Sequence, residues 1–124
     1  MMETENKLDK FGEFLVKNLR DKGISKAEGL LNGQWKAPSI LNLQSELGKL
    51  SDAEKEMVKK TVINSIDTAI HDFLFALQER ADFDNDIQIV VDGENVAELS
   101  DGIHGEAYSD EGWYSKFSKY GEPE

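Results

Sequence analysis

Between Ser51 and Arg80, apolar side chains recur at steps of four and three: Val58, Val62, Ile66, Ile70, Phe73 and Leu77. A stripe this long runs along one side of an α-helix and along no strand, so it commits a quarter of the chain to a single rod. The start of the rod is marked as well. Ser51 can accept from the backbone N–H of Glu54 while the Glu54 carboxylate reaches back to the cap, which places a helix over about 52–80. Met57, Ile63, Leu74 and Phe75 widen the stripe, and Ile70 to Leu77 is apolar nearly all round except at His71 and Asp72. Another element or another copy of the chain must cover that end, and a homodimer is the expected assembly.

Before this spine, Leu8, Phe11, Phe14 or Leu15, and Leu19 fall at helical spacing, which predicts an amphipathic helix from about Glu3 to Asp21. Gly23 is placed as its stop. Ser25 with Glu28 then reads as a second capping box, opening a short helix that runs through Leu31 and ends at Gly33. Pro38 bars a helix interior, so a third helix is placed over 39–48.

After Ala81 the period changes to two. Ile87, Ile89 and Val91 alternate with Gln88 and Val90, Asp92 to Asn95 supply turn chemistry, and 96–99 reads as a returning strand. A three-residue loop centred on Gly93 sorts Ile87, Ile89, Val91, Ala97 and Leu99 onto one face, and we expect that register. Residues 100–108 read as a loop or irregular strand. Trp113, Phe117 and Tyr120 then fit a short terminal helix beginning near Ser109 or Asp110, with Gly121 ending it. The resulting class is α+β: helices packed on a small antiparallel hairpin, as one domain over 1–120 with a frayed tail at 121–124.

The 124 residues include no cysteine, which removes disulfides, thiolate metal sites and a cysteine nucleophile, and agrees with a reducing compartment. Met1 to Lys7 lack the basic and apolar runs of a signal peptide, so the chain is expected in the cytoplasm. Its longest stretch without charged residues, Ala37 to Ser45, is too short to span a bilayer.

Charge is divided unevenly. Of the net −11, residues 1–81 contribute −1, with 13 acidic and 12 basic side chains, while residues 82–124 contribute −10, with 12 acidic and 2 basic. Such a field repels phosphate backbones and anionic lipid, so neither nucleic acid nor a membrane surface is an expected partner; a basic protein is. Acidic surfaces also serve solubility alone. The aromatics of the last segment sit among these acids, and aromatic anchors within charge match the composition of binding hot spots, although one face of a short helix ordinarily packs on its own core. The expected partner-binding residues are Asp92, Glu94, Glu98, Asp101, Glu106, Asp110, Glu111, Trp113 and Tyr114. The expected function is that of a non-catalytic module docking on a basic partner, as an inhibitor or immunity-type protein does.

A second reading is a small metal-dependent enzyme built on His71, His104 and neighbouring carboxylates such as Asp101 and Glu106. It rests on residue types. Asp67 lies one turn before His71, a spacing that more often makes a structural pair. Asp82, Asp84 and Asp86 alternate as in the opening of a calcium loop, but Ile87 and Gly93 occupy the positions where such a loop requires Gly and Glu. No phosphate-binding glycine loop, nucleophile elbow or His-Glu-x-x-His is present. No catalytic residue, metal or cofactor is therefore assigned, and a third reading is a structural protein whose activity is oligomerisation.

Overall fold

The computed structural model describes residues 6–122, and the fold is α+β with helix predominating. Helix α1 (Lys7–Leu15) passes through a π-helical turn (Val16–Arg20) straight into α2 (Asp21–Leu31). A 3-10 turn at Pro38–Ile40 leads into α3 (Leu41–Gly48), and α4 (Asp52–Phe83) follows. Strands β1 (Val90–Val91) and β2 (Glu94–Asn95) form the hairpin, and α5 (Trp113–Phe117) comes after two 3-10 turns, Val96–Leu99 and Ile103–Gly105.

Helix α4 begins where its capping box places it. Ser51 Oγ accepts from Glu54 N at 3.2 Å, and Glu54 Oε1 accepts from Ser51 N at 2.8 Å. Its buried line is Asp67, Ile70, Leu74, Leu77 and Gln78, rotated slightly from the expected stripe, so that Phe73 is 52% exposed and Leu74 takes the core position. The core gathers Phe11, Leu15 and Val16 from the first helical rod, Ile70 and Leu74 from α4, and Val96, Ile103, Ala107, Trp113 and Tyr114 from the C-terminal third.

Gly23 does not stop the first helix. It lies inside the rod on the side facing α4, where a Cβ would stand 2.8 Å from Cδ1, the movable end of the Ile66 side chain. Ser25 is accordingly no cap; its hydroxyl meets that of Tyr120 at 2.6 Å. Of the alternatives Phe14 and Leu15, Leu15 is the buried one, alongside Phe11, while Leu19, expected on the inner face, is exposed. Gly33, with φ 71°, does end the helix, as expected. The proposed start of the first helix at residues 3–5 lies outside the described residues.

The hairpin differs from its expected register. Val90 pairs with Asn95 and Val91 with Glu94, leaving a two-residue loop of Asp92 and Gly93, at φ 50° and 88°. Asp-Gly with both residues in the left-handed region is the loop whose twist matches that of the strands, and this local preference outweighs the sorting of apolar residues. Ile89, Val91 and Ala97 still face inward, but Ile87 and Leu99 are exposed and Val96 is buried. The returning segment is not a strand beyond Asn95, because the Asn95 side chain accepts from Ala97 N at 3.2 Å and caps a 3-10 turn instead. Helix α5 is likewise shorter than expected, starting at Trp113, with Tyr120 outside it.

Gly12 admits the Trp113 indole against α1: a Cβ there would fall 2.3 Å from the ring. Gly12→Ala should therefore destabilise the protein by about 1–3 kcal/mol or more through overpacking. Gly48, whose Cβ would meet nothing within 4 Å, should tolerate alanine with a gain of up to about 0.5 kcal/mol. Urea denaturation of the two variants measures the contrast, and equal effects would contradict this packing.

Candidate functional site

A buried ion pair sets the position of α4. Arg20, 1% exposed, donates from Nε to Asp67 Oδ1 at 2.6 Å and from Nη2 to Asp67 Oδ2 at 3.1 Å. Its Nη1 donates to Ser118 Oγ at 2.9 Å and to the Gly121 carbonyl at 2.8 Å, and the guanidinium lies 3.9 Å above the centre of the Tyr114 ring. Asp67 thus serves Arg20, and the expected pairing with His71 does not form; His71 Nδ1 meets Asp72 Oδ1 at 3.2 Å instead. Beside this node Ser118 Oγ donates to Asp21 at 2.6 Å, and Lys119 N donates to the same carboxylate at 3.0 Å. Burial, and then the negative charge of Asp67, pushes the Tyr114 hydroxyl well above the ordinary tyrosine range.

This arrangement decides the fate of the expected partner-binding residues. Trp113 and Tyr114, at 1% and 0% exposure, are core: Trp113 meets Phe11 edge to face and Tyr114 carries Arg20. They are not on the surface of this chain, because the short α5 turns both rings inward against α1 and the π turn. Asp92 accepts from Lys10 at 2.8 Å and Glu94 from Lys7 at 2.5 Å, so lysines of α1 partly neutralise the hairpin; Lys10 holds the Asp92 carboxyl below its usual range. Glu98 accepts from Asn85 at 3.1 Å and Glu106 from Ser100 Oγ at 2.7 Å. Asp101, Asp110 and Glu111 are exposed and form no ion pair among the described residues. Two carboxylates of the suspected calcium opening face Arg80, which lies 3.8 Å from Asp84 and 3.0 Å from Asp86, and the third, Asp82, accepts from Gln78 at 3.3 Å.

A different acidic face is built on α4. Asp72, Phe75, Glu79 and Asp82 stand at i, i+3, i+7 and i+10, which puts all four on one side of the helix, and all are exposed. From Thr61 to Glu79 the chain contains no lysine or arginine, and none pairs with these three carboxylates among the described residues; Asp72 meets His71 Nδ1 at 3.2 Å and Asp82 accepts from Gln78 Nε2 at 3.3 Å. Phe75 is 45% exposed yet held, with its ring 5.0 Å from that of His104 at 81°. His104 in turn meets His71 at 5.2 Å, so the fold does bring the two histidines together. The loop carrying His104 is fastened by Gln78, which accepts from Ile103 N at 2.7 Å and donates to the Ala97 carbonyl at 2.9 Å. Sequence reasoning counted Phe75 as part of the buried stripe and passed over Gln78. The signal for both lay in the helical period, since Phe75 falls about a third of a turn off the Ile70–Leu77 line.

The histidine pair acquires no third ligand: among the described residues no three His, Asp or Glu side chains are placed to hold a metal ion. Asp101 and Glu106 do not join it. No helix of the described residues is long and apolar enough to cross a membrane. Comparison with protein-family models, with curated proteins and with solved structures finds no match. The chemistry available on the α4 face is therefore that of its own side chains: carboxylates able to accept from ammonium or guanidinium groups around one fixed aromatic ring.

Removing one partner of the buried pair should be costly and removing the Tyr114 hydroxyl should not. Asp67→Asn is expected to lose about 3–5 kcal/mol, because Arg20 is left charged and underpaired. Tyr114→Phe, which keeps the ring under Arg20 and deletes a buried hydroxyl with no hydrogen bond of good geometry, should stay within about 0.5 kcal/mol of the parent or exceed it. Denaturation midpoints at fixed pH compare the two. Glu28 supplies a pH test. Lys59, at 2.8 Å, is the main reason its carboxyl lies below the ordinary range, with Tyr120 also donating at 2.8 Å. A carboxyl lowered by folding adds stability that is full above its unfolded value of roughly 4.3 and is lost as pH falls through the folded value. Lys59→Met should therefore reduce stability by about 0.5 kcal/mol at neutral pH and converge with the parent in acid, since the pair is a third exposed.

Proposed function

We propose that the protein is a non-catalytic binding module that docks on a basic protein partner, in the manner of an inhibitor or immunity-type protein. The observation that supports this most is the set of exposed carboxylates without a lysine or arginine partner, on the α4 face and at Asp101, Asp110 and Glu111, while Lys7, Lys10 and Arg80 pair with Glu94, Asp92, Asp84 and Asp86. Unneutralised charge of one sign accelerates encounter with an oppositely charged surface and disfavours wrong partners. A desolvated centre is also needed for affinity, and Phe75 offers one where Trp113 and Tyr114 do not.

Affinity capture from the lysate of the native host at low salt, followed by calorimetric titration of the purified captured protein, tests this. Affinity should fall by at least about tenfold between low and roughly physiological ionic strength, as screening shortens the reach of the field. A captured partner whose affinity does not change with salt would overturn the electrostatic reading.

A further inference from the structure

Helix α4 has a second outer side, about a third of a turn from Phe75. Val58, Val62, Ser65, Ala69, Phe73 and Ala76 recur there at steps of four and three, and Arg80 and Phe83 continue the line to the end of the helix. The line is about 38 Å long and repeats about every three and a half residues, the period of a seam between two helices. Helix α2 and the two 3-10 turns pack against other sides of α4, and every residue of the line from Ser65 onward is exposed. Phe73 is 52% exposed and Phe83 82%. No charged side chain stands on the line from Val58 to Ala76, so covering that stretch desolvates no charge. The line exposes roughly 400 Å² of apolar side chain, mostly from the two phenylalanines. A stable pair of chains buries about 800 Å² on each, somewhat over half of it apolar, which is what this side of α4 supplies.

We propose that the protein is a homodimer in which this side of α4 packs antiparallel on the same side of α4 in a second copy. Shape and charge both select that occupant and that direction. Phe73 stands between Ala69 and Ala76, so in an antiparallel pair each Phe73 lies over the alanines of the other copy. A parallel pair would set Phe73 on Phe73 and alanine on alanine, leaving layers alternately crowded and void. Residues 82–124 carry −10, whereas the start of α4 is balanced, with Asp52, Glu54 and Glu56 against Lys55, Lys59 and Lys60. Antiparallel helices place each acidic third beside the balanced start of the other α4, and parallel ones would oppose the two acidic thirds. The pair also accounts for Phe73, which falls in the apolar period of α4 yet is not buried by its own chain. This goes beyond the acidic-module reading and does not depend on it: the Phe75 face stays outside the seam, and a dimer presents it twice.

Sedimentation equilibrium of the whole protein over a concentration series at physiological ionic strength tests the pairing. The parent should sediment at twice the mass of one chain. Phe73→Glu should weaken the dimer at least about thirtyfold, and Thr68→Glu, which adds the same charge on the neighbouring exposed side, less than about threefold. Circular dichroism verifies folding, and Ala76→Glu, at an exposed alanine of the same line, takes the place of Phe73→Glu if that variant unfolds. Direction is read from nitroxide labels on Ala53→Cys, which is the only thiol because the chain has no cysteine of its own. The two labels should stand roughly 50–60 Å apart across an antiparallel pair. A parent that stays a single chain up to about 100 μM, or a dimer that the line variants leave intact or that Thr68→Glu weakens equally, would overturn the proposal. A label separation under about 25 Å would overturn it as well, since the helices would then be parallel.

Discussion

The pairing of Arg20 with Asp67 is the constraint around which the rest of this fold is arranged. A guanidinium enclosed this fully needs partners for its donors, and they come from two separate parts of the chain: Asp67 on α4, and Ser118 and the Gly121 carbonyl in the C-terminal segment. Neither the first helical rod nor α4 can slide along the other without breaking a two-point contact. The Tyr114 ring beneath the guanidinium then fixes α5, and through it Trp113, against Gly12 of α1. A buried ion pair is poor evidence for net stability, since its desolvation offsets much of its attraction, but it is an effective determinant of which arrangement forms.

Much of this was legible in the residues and some was not, for reasons that differ by element. The capping box at Ser51 and Glu54 and the apolar period of α4 are local signals, and α4 begins where they place it. The hairpin was recognised, but its register turned on the competition between an Asp-Gly loop and the sorting of apolar faces, and the loop prevailed. Gly23 was misread because glycine commonly ends helices, whereas here the helical rod runs on through it past Ile66 of α4. Arg20 and Asp67 gave no sign of each other, being 47 residues apart with only polar character in common. Long-range polar pairing leaves no periodic trace.

The same distinction applies to the candidate site. The acidity of the last third is a true property of the chain, but net charge does not say which carboxylates remain available, and folding hands Asp92 and Glu94 to lysines of α1. It also draws Trp113 and Tyr114 inward and leaves outward an aromatic that the helical stripe had claimed. Phe75 and its flanking acids are exposed because Gln78 fastens the 3-10 turns over the neighbouring side of α4 and stops short of this one. Which acids and aromatics stay exposed is thus set by where the C-terminal segment runs out of contacts, as much as by where its charges lie.

The ties between residues 9–20 and 116–121 bear on how the protein comes to be folded. Arg20 finds its last acceptor 101 residues later, at Gly121, and Lys116 reaches Asp9 across 107. Contacts so distant in sequence form late, since the intervening chain must be ordered before they are gained. Without residues 118–121, Arg20 lacks the Ser118 and Gly121 acceptors, and the π turn that carries it is tied to α4 through Asp67 alone. Docking of the segment after α5 is what completes the enclosure of the guanidinium, so the centre of the core closes only when sequence-distant parts have met.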